Sequence, residues 1–344
     1  MQLAERLKLL TEEEGLSSRE TSAASMVQKI LKEMEITSYI DGYGNVHGFL
    51  PAEEECAKTV LLEAHIDQIG LMVSGIDEKG YLKFVNLGGV DERILYGMEV
   101  MVLTDPPLYG VIGGFLPKKK EKEEAKNASV QDLRIDIGFS REESVKKVHV
   151  GDYVRLKGNT CSLLGNRISG AAMDNRAGMV AILSALEQTR KLKRVYHTDI
   201  LFSTQEELGL HGAYTGVEAD KTDFAISVDV THGETPDSSE ITGVFPLGCG
   251  AVICRGPNFK DDYTQQLIHL AKEKNVSHEI EVASGGSGTT AWAIQTIGSG
   301  IPVMLVSIPL RYMHTNVETL DIRDVQAVSD LLAAVLTGGM NLDE

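Results

Sequence analysis

The stretch TVLLEAHIDQIG, residues 59–70, marks a change in the character of the chain. Its first six residues form a short β-rich run of the kind that is buried in a mostly parallel sheet. Beyond Gln68 the pattern changes to short strands interrupted by glycines, as in GLMVSGIDEKGYLKFVNLGG and VGDYVRL, and it continues to about Cys161. This pattern predicts a β domain inserted into a different fold.

The segments on either side of the insertion alternate between helix and strand patterns. TSAASMVQKILKEM and NRAGMVAILSALEQTRKL carry apolar residues at helical spacing, whereas DILFST, FAISVD and IPVMLVSI are short β-rich runs. We therefore predict an α/β domain built from residues 1–67 and 162–344, with the inserted β domain at 68–161. The mixed-charge run PKKKEKEEAKNA, residues 117–128, is interpreted as a solvated loop inside the insertion.

Composition excludes several classes of protein. The 344 residues are 42% hydrophobic and 24% charged, which is typical of a soluble globular protein. The N-terminus lacks an apolar signal region and no run approaches the ~18 apolar residues of a membrane span, so we expect a cytoplasmic protein. A net charge of −17 disfavours nucleic acid and anionic membranes as partners. Four cysteines without C-x-x-C spacing predict core thiols.

Acids and histidines follow the predicted strands, and one acid begins a predicted helix. They are His65 and Asp67 after TVLLEA, Glu206 and Glu207 after DILFST, Asp229 at the end of FAISVD, His314 after IPVMLVSI, and Asp174 before NRAGMVAIL. Singly, each has a structural explanation, such as a helix N-cap, a core histidine or a strand-end turn. Ligands bind outside the carboxyl ends of strands in open α/β sheets, so we expect these side chains to meet in one crevice.

Such a crevice predicts a metal site. Unpaired carboxylates at close range repel one another, and divalent cations relieve that repulsion. Imidazole and carboxylate ligands without thiolate suit Zn²⁺, or alternatively Co²⁺ or Mn²⁺, whereas Ca²⁺ and Mg²⁺ sites are normally all oxygen. Two histidines with three or four acids exceed the needs of one tetrahedral ion. A site for two divalent metal ions with a shared carboxylate fits that number of ligands.

Five motifs in order give the chain a family resemblance. EAHIDQIGLMV, AAMDNRAG, STQEELGLHGA, SVDVTH and IPLRYMHTNVE together resemble the M42 metallopeptidases, the group of glutamyl and deblocking aminopeptidases, some of which have been labelled endoglucanases. The resemblance covers nearly the whole chain. It implies a three-layer α/β/α catalytic domain interrupted by a β-barrel-like domain for oligomerisation or substrate access. It also implies peptide substrates with a free N-terminus, and a homo-oligomer that is a hollow tetrahedral dodecamer.

The resemblance further implies which side chains bind metal. His65 and Asp229 would hold one ion, Glu207 and His314 would hold the other, and Asp174 would bridge the two. Two segments depart from the family pattern: SGTTAWAI stands where many relatives have an aspartate after Gly-Thr, and HTNVE stands where proline is common after His-Thr. Neither departure touches a predicted ligand.

The neighbouring acids receive different roles. By the resemblance, Glu206 is the general base and Asp67 orients His65. Adjacent residues at a strand exit point to opposite sides, so one acid can bind a metal while the other faces the water that the metals activate. Glu207 is then the ligand, and Glu206 takes the proton.

Two other functions remain as alternatives. A glycoside hydrolase, with an endoglucanase-like activity, could use Glu206 together with Asp67 or Asp174 as its pair of carboxylates. It has no use for two strand-end histidines, and the chain is only 6% aromatic with Trp292 as its one tryptophan. A non-catalytic assembly or binding protein would leave the acid cluster unexplained. An assay on aminoacyl substrates separates the three functions. Only the metallopeptidase should lose activity on chelation and recover it with Zn²⁺ or Co²⁺.

Overall fold

The structure is a computed structural model that describes residues 2–114, 130–236, 238 and 243–340. The mixed-charge run at 117–128 lies outside these residues. Within the described ranges, no helix combines the length and the apolar character that crossing a membrane requires.

Helices and strands alternate along much of the chain. The helices are α1 Leu3–Glu12, α2 Thr21–Glu33, α3 Arg141–Lys147, α4 Met173–Thr189, α5 His211–Gly216, α6 Asp261–Glu273, α7 Thr290–Ile294 and α8 Ile322–Gly338. The strands are β1 Thr37–Ile40, β2 Val46–Leu50, β3 Thr59–His65, β4 Gly70–Ile76, β5 Leu82–Leu87, β6 Glu99–Val102, β7 Leu108–Gly114, β8 Leu133–Asp136, β9 Tyr153–Leu156, β10 Cys161–Ser162, β11 Arg167–Gly170, β12 His197–Ser203, β13 Phe224–His232, β14 Ala251–Arg255, β15 His278–Val282, β16 Val303–Leu310 and β17 Glu318–Asp321.

A mixed sheet of eight strands forms the centre of the molecule, in the order β1-β2-β12-β3-β13-β16-β14-β15. Its four middle strands, β12, β3, β13 and β16, run parallel. These strands are largely buried because both faces of the sheet are covered, and every residue of β16 is buried. Their carboxyl ends therefore meet at one edge of the sheet.

Helices cover the sheet on both sides. Leu62 and Ile200 pack in the cluster that contains the buried residues of α1, α2, α4, α6 and α8. Their neighbours Leu61 and Leu201 point the other way and pack with α5 and α7. Successive side chains of a strand face opposite sides of a sheet, so the same two strands serve both layers. The predicted three-layer α/β/α arrangement is confirmed.

A closed barrel interrupts this domain in sequence. Six strands form it in the order β4-β5-β8-β7-β6-β9, around a core that includes Leu71, Val100 and Ile112. The predicted barrel-like fold is confirmed. The barrel strands extend from Gly70 to Leu156, and the domain limits at residues 68 and 161 stay a prediction.

One element was not predicted, and one prediction was wrong. The barrel segment contains the seven-residue helix α3, for which no prediction was made, although Ser140 and Glu143 form a capping box at its start. The cysteines are all free, but only Cys254 is buried, whereas Cys56 and Cys161 are exposed. The description as core thiols holds for Cys254 alone.

Candidate metal centre

The predicted site residues gather at the carboxyl edge of the central sheet. His65 is the last residue of β3, and Asp229 lies near the end of β13. Glu206 and Glu207 follow β12 within four residues, and His314 follows β16 at the same distance. The parallel middle strands end side by side, which brings these distant parts of the sequence together.

Three buried side chains form a first group of possible ligands: His65, Asp174 and Asp229. Nε2 of His65 lies 2.9 Å from Oδ1 of Asp174 and 3.7 Å from Oδ1 of Asp229. One nitrogen or oxygen atom from each residue lies within 4.8 Å of the others, close enough to hold one ion.

A second group shares Asp174 with the first. Nε2 of His314 lies 3.5 Å from Oδ2 of Asp174 and 3.5 Å from Oε1 of Glu207. These three residues also offer ligand atoms within 4.8 Å of one another. The two oxygens of Asp174 therefore face different imidazoles, the arrangement that a bridging carboxylate requires.

Backbone carbonyls orient both imidazoles. Nδ1 of His65 lies 3.2 Å from the carbonyl oxygen of Asp67, and Nδ1 of His314 lies 2.9 Å from that of Gly89. A carbonyl only accepts, so each Nδ1 carries the proton and donates it, which leaves Nε2 free to bind metal. Gly89 follows the barrel strand β5, and a Cβ there would approach Nδ1 of His314 to 2.8 Å. The barrel thus holds one of the candidate ligands.

The charges of the cluster are poorly balanced without a cation. Burial raises the pKa of Glu206 to about 9, and the carboxylates of Asp229, Glu207 and Asp174 add to the effect while His65 opposes it. Burial and Asp174 likewise raise the pKa of Glu207 to about 8. Burial also raises the pKa of Asp174, but the imidazoles of His314 and His65 outweigh that effect and hold it well below its usual range.

These residues fit a pair of divalent ions. The donor set consists of imidazole nitrogens and carboxylate oxygens, and no cysteine takes part, as suits Zn²⁺, Co²⁺ or Mn²⁺. The carboxylates outnumber the imidazoles, and cations between them favour the charged form of each acid.

Asp67 lies behind the cluster and organises the loop that carries the two acids. Its Oδ1 accepts a hydrogen bond from the backbone N–H of Glu206 at 2.8 Å, and its Oδ2 accepts from that of Glu207 at 3.2 Å. Ser17 donates its hydroxyl to the same Oδ2 at 2.6 Å. Oδ1 also lies 3.6 Å from Nδ1 of His65. Asp67 therefore joins three parts of the site.

Glu206 and Glu207 differ from the expected geometry. They lie in a turn after β12, and Gln205 before them has a left-handed φ of 52°. The alternation of side chains along a strand does not apply in this turn, and both side chains line the same cavity. They still differ in surroundings, because Glu207 belongs to a ligand group and Glu206 to neither.

Three further acids support the site. Glu318 is the last residue of the motif IPLRYMHTNVE and received no predicted role. It accepts a hydrogen bond from the backbone N–H of Asp174 at 3.2 Å and from that of His314 at 2.9 Å. Glu20 accepts the N–H of Gln205 at 3.2 Å. Glu63 is fully buried and accepts hydroxyl hydrogen bonds, one of them from Ser203 at 2.6 Å. An acid inside the apolar run TVLLEA is a signal that could have found Glu63.

A cavity of about 520 Å³ opens over the cluster. It is lined by both ligand groups, by Glu206, and by Thr289 of the SGTTAWAI segment. Thr290, the residue after Gly-Thr in that segment, is buried and donates its hydroxyl to Glu63. The departure from the family pattern therefore lies beneath the cavity, in contact with Glu63.

Comparison with known proteins identifies the family. The family description "M42 glutamyl aminopeptidase" matches residues 44–331. The chain belongs to this family. Members of the family are metal-dependent. Because the family and relatives of this chain are aminopeptidases, the chain is a peptidase, as the sequence motifs predicted.

Individual relatives agree with that assignment. The chain is 31% identical over 339 residues to the lysyl aminopeptidase of Pyrococcus furiosus, with 96% of each chain covered. It is 32% identical to the solved aminopeptidase APDkam598 of Desulfurococcus kamchatkensis, with a TM-score of 0.90 over 98% of this chain and 95% of that one. The TET1 peptidase of Pyrococcus horikoshii is 29% identical with a TM-score of 0.84, covering 97% and 99%, and can assemble into a tetrahedron or a large octahedral shell.

Proposed function

We propose that this M42 peptidase is a dinuclear metallo-aminopeptidase that removes the N-terminal residue from peptides. The observation that carries the proposal is the pair of ligand groups that share Asp174. A single-ion site needs only one of these groups, whereas two groups joined by one carboxylate match a two-metal centre.

Five residues hold the ions in this proposal. His65 and Asp229 bind one ion, Glu207 and His314 bind the other, and Asp174 binds both. Zn²⁺ is the proposed metal, with Co²⁺ or Mn²⁺ as alternatives. When bound, such ions polarise the scissile carbonyl and lower the pKa of a bound water from ~15.7 to ~7.

Glu206 is the proposed general base. Its side chain lines the cavity beside the ligand groups without belonging to them. The carboxylate accepts the proton of the attacking water and then delivers a proton to the nitrogen of the leaving amine. The products are the free N-terminal amino acid and the shortened peptide. Asp67 keeps Glu206 in place by accepting its backbone N–H.

A free N-terminus offers a ligand that an internal peptide bond lacks. When bound, one of the ions would hold the free α-amine of the substrate beside the cavity that Asp174, Asp229, Glu206 and Glu207 line. We propose this difference as the reason why only the first residue of a peptide is removed.

Assembly and location complete the proposal. The TET1 peptidase of Pyrococcus horikoshii can assemble into a tetrahedron or a large octahedral shell. By analogy, we propose that this chain forms a homo-oligomer, and that the oligomer is a tetrahedral dodecamer. The segment 68–161 is the proposed oligomerisation and substrate-access domain. A cytoplasmic location belongs to the proposal as well.

A chelation experiment tests the function. The protein is dialysed against a chelator and assayed on leucyl-aminomethylcoumarin, on the same substrate with its amine acetylated, and on a soluble cellulose derivative. We expect hydrolysis of the free-amine substrate alone, loss of that activity on chelation, and its return with Zn²⁺ or Co²⁺. Metal-dependent release of sugar would support the endoglucanase alternative instead, and no hydrolysis in any assay would support a binding protein.

A further inference from the structure

The cavity above the metal centre continues along the sheet to Glu281 on β15. Asp229 and Thr231 are two residues apart on β13, so their side chains share one face and lie about 6–7 Å apart along the strand. The hydroxyl of Thr231 donates to Oε1 of Glu281 at 3.0 Å. Glu281 and Thr231 line the same cavity as Asp229. A carboxylate therefore lies in the same cavity as a metal ligand, joined by a hydrogen bond to a residue two positions further along that ligand's strand.

The walls of this cavity are partly apolar. Leu210, Val230, Leu305 and Met313 line it together with the polar groups. Among the described residues that form its lining, there is no lysine and no arginine. The cavity thus offers apolar surface for an aliphatic chain, and Glu281 is the acid of its lining that belongs neither to the ligand groups nor to the proposed general base.

The Glu281 carboxylate is incompletely compensated. It is partly buried, and burial raises its pKa despite the hydrogen bond from Thr231 and the opposing influence of His232. His232 lines the cavity as well, but it is exposed to solvent. A carboxylate that is partly removed from water is stabilised by a cation that donates hydrogen bonds to it.

We propose that Glu281 makes the enzyme select substrates whose N-terminal residue is lysine or arginine. This inference rests on the proposed aminopeptidase function. The methylene groups of the basic side chain lie along the apolar wall, and its cationic head donates hydrogen bonds to Glu281. An N-terminal glutamate or aspartate is disfavoured, because its carboxylate would face that of Glu281.

The experiment compares substrates that differ at one group. Lysyl- and norleucyl-aminomethylcoumarin share an unbranched side chain of the same carbon number, but only lysine carries the amine. We expect the wild type to prefer the lysyl substrate by about 10- to 100-fold in kcat/KM, the range of a hydrogen bond to a charged group. Free lysine should also inhibit more strongly than free norleucine, as a measure of binding apart from turnover.

Substitutions on β15 test whether Glu281 causes the preference for the lysyl substrate. Glu281→Gln should bring the ratio of the two substrates close to one while hydrolysis of the norleucyl substrate continues, and Glu281→Lys should favour glutamyl-aminomethylcoumarin. Glu279→Gln is the matched control, because Glu279 lies on the same strand outside the cavity lining. It should keep the wild-type ratio.

The outcomes separate this inference from the function on which it rests. Equal rates on the lysyl and norleucyl substrates in the wild type, or an unchanged ratio in Glu281→Gln, would overturn the role of Glu281 and leave the aminopeptidase standing. Failure of the wild type to cleave any aminoacyl substrate would overturn the proposed function itself. If Glu281→Gln does not fold, the wild-type ratio and the inhibition by free amino acids still decide.

Discussion

The carboxylate of Asp67 accepts a hydrogen bond from the backbone N–H of Glu206 at 2.8 Å. Ser17, from the segment between α1 and α2, donates to the other oxygen of Asp67. Glu20, from the same segment, accepts the N–H of Gln205. The N-terminal segment thus braces the loop that presents the two acids, although it contributes no ligand atom to either metal group.

Ser17→Ala tests this brace. Loss of the hydroxyl leaves a fully buried carboxylate with one hydrogen-bond donor fewer, which costs ~1.5–3 kcal/mol when the bond is made to a charged group. We expect kcat to fall by about tenfold with KM little changed, because the loop that carries Glu206 loses its fixed position. Steady-state kinetics and metal analysis of the purified variant measure the effect.

Two further variants control for general damage. Ser17→Thr keeps the hydroxyl and should restore most of the activity. Ser22→Ala removes a hydroxyl that donates to Glu13 on the surface and should leave kcat unchanged. Wild-type kcat in Ser17→Ala would show that the brace does not position the catalytic loop.

Asp174→Asn tests the bridge. The substitution removes negative charge from both ligand groups at once, so we expect weaker binding of both ions. His65→Ala should chiefly weaken one ion, because His65 belongs to one group only. Elemental analysis after dialysis against a metal-free buffer compares the two variants, and full two-metal occupancy in Asp174→Asn would refute the bridging role.

Glu206→Gln tests the division of labour between the neighbouring acids. The amide keeps the shape of the side chain but cannot accept the proton of water, so turnover should fall by ~10²–10⁴-fold. The metal content should stay at the wild-type level, because Glu206 lies outside both ligand groups. Added Zn²⁺ or Co²⁺ should not restore the activity.

Glu207→Gln is the matched comparison. It replaces a charged ligand by a weak neutral one, so its loss of activity should accompany lower occupancy of one ion and partial rescue by added Zn²⁺ or Co²⁺. Reversed behaviour of the two variants would exchange their roles. Retention of metal and activity by both would show that neither acid takes part in metal binding or catalysis and would refute the mechanism.

Sequence patterns were sufficient for the sheet and for the position of the site. The apolar runs that end in His65 and Asp229 predicted buried parallel strands, and the rule for open sheets placed their ends together. The same reasoning could not find the contact of Ser17 with Asp67, or that of Glu318 with Asp174, which join residues 50 and 144 positions apart. Such contacts depend on how the layers pack, and no local pattern records them.

The barrel domain also makes a long-range contact that local sequence patterns do not predict. Its short strands between glycines were visible in the sequence, but the approach of Gly89 to His314 was not, because it joins the barrel to a loop 225 residues away. The turn that carries Glu206 and Glu207 was not predicted either, since the left-handed conformation of Gln205 turns the chain out of the strand before the acids.

The number of metal ions per active chain tests the central claim most directly. Metal-free enzyme is titrated with Zn²⁺ while the rate of leucyl-aminomethylcoumarin hydrolysis and the bound metal are measured together. Two ligand groups that share Asp174 predict that activity rises until two ions are bound per chain and then stays constant. Full activity in the metal-free enzyme, or a maximum at one ion per chain, would contradict the account.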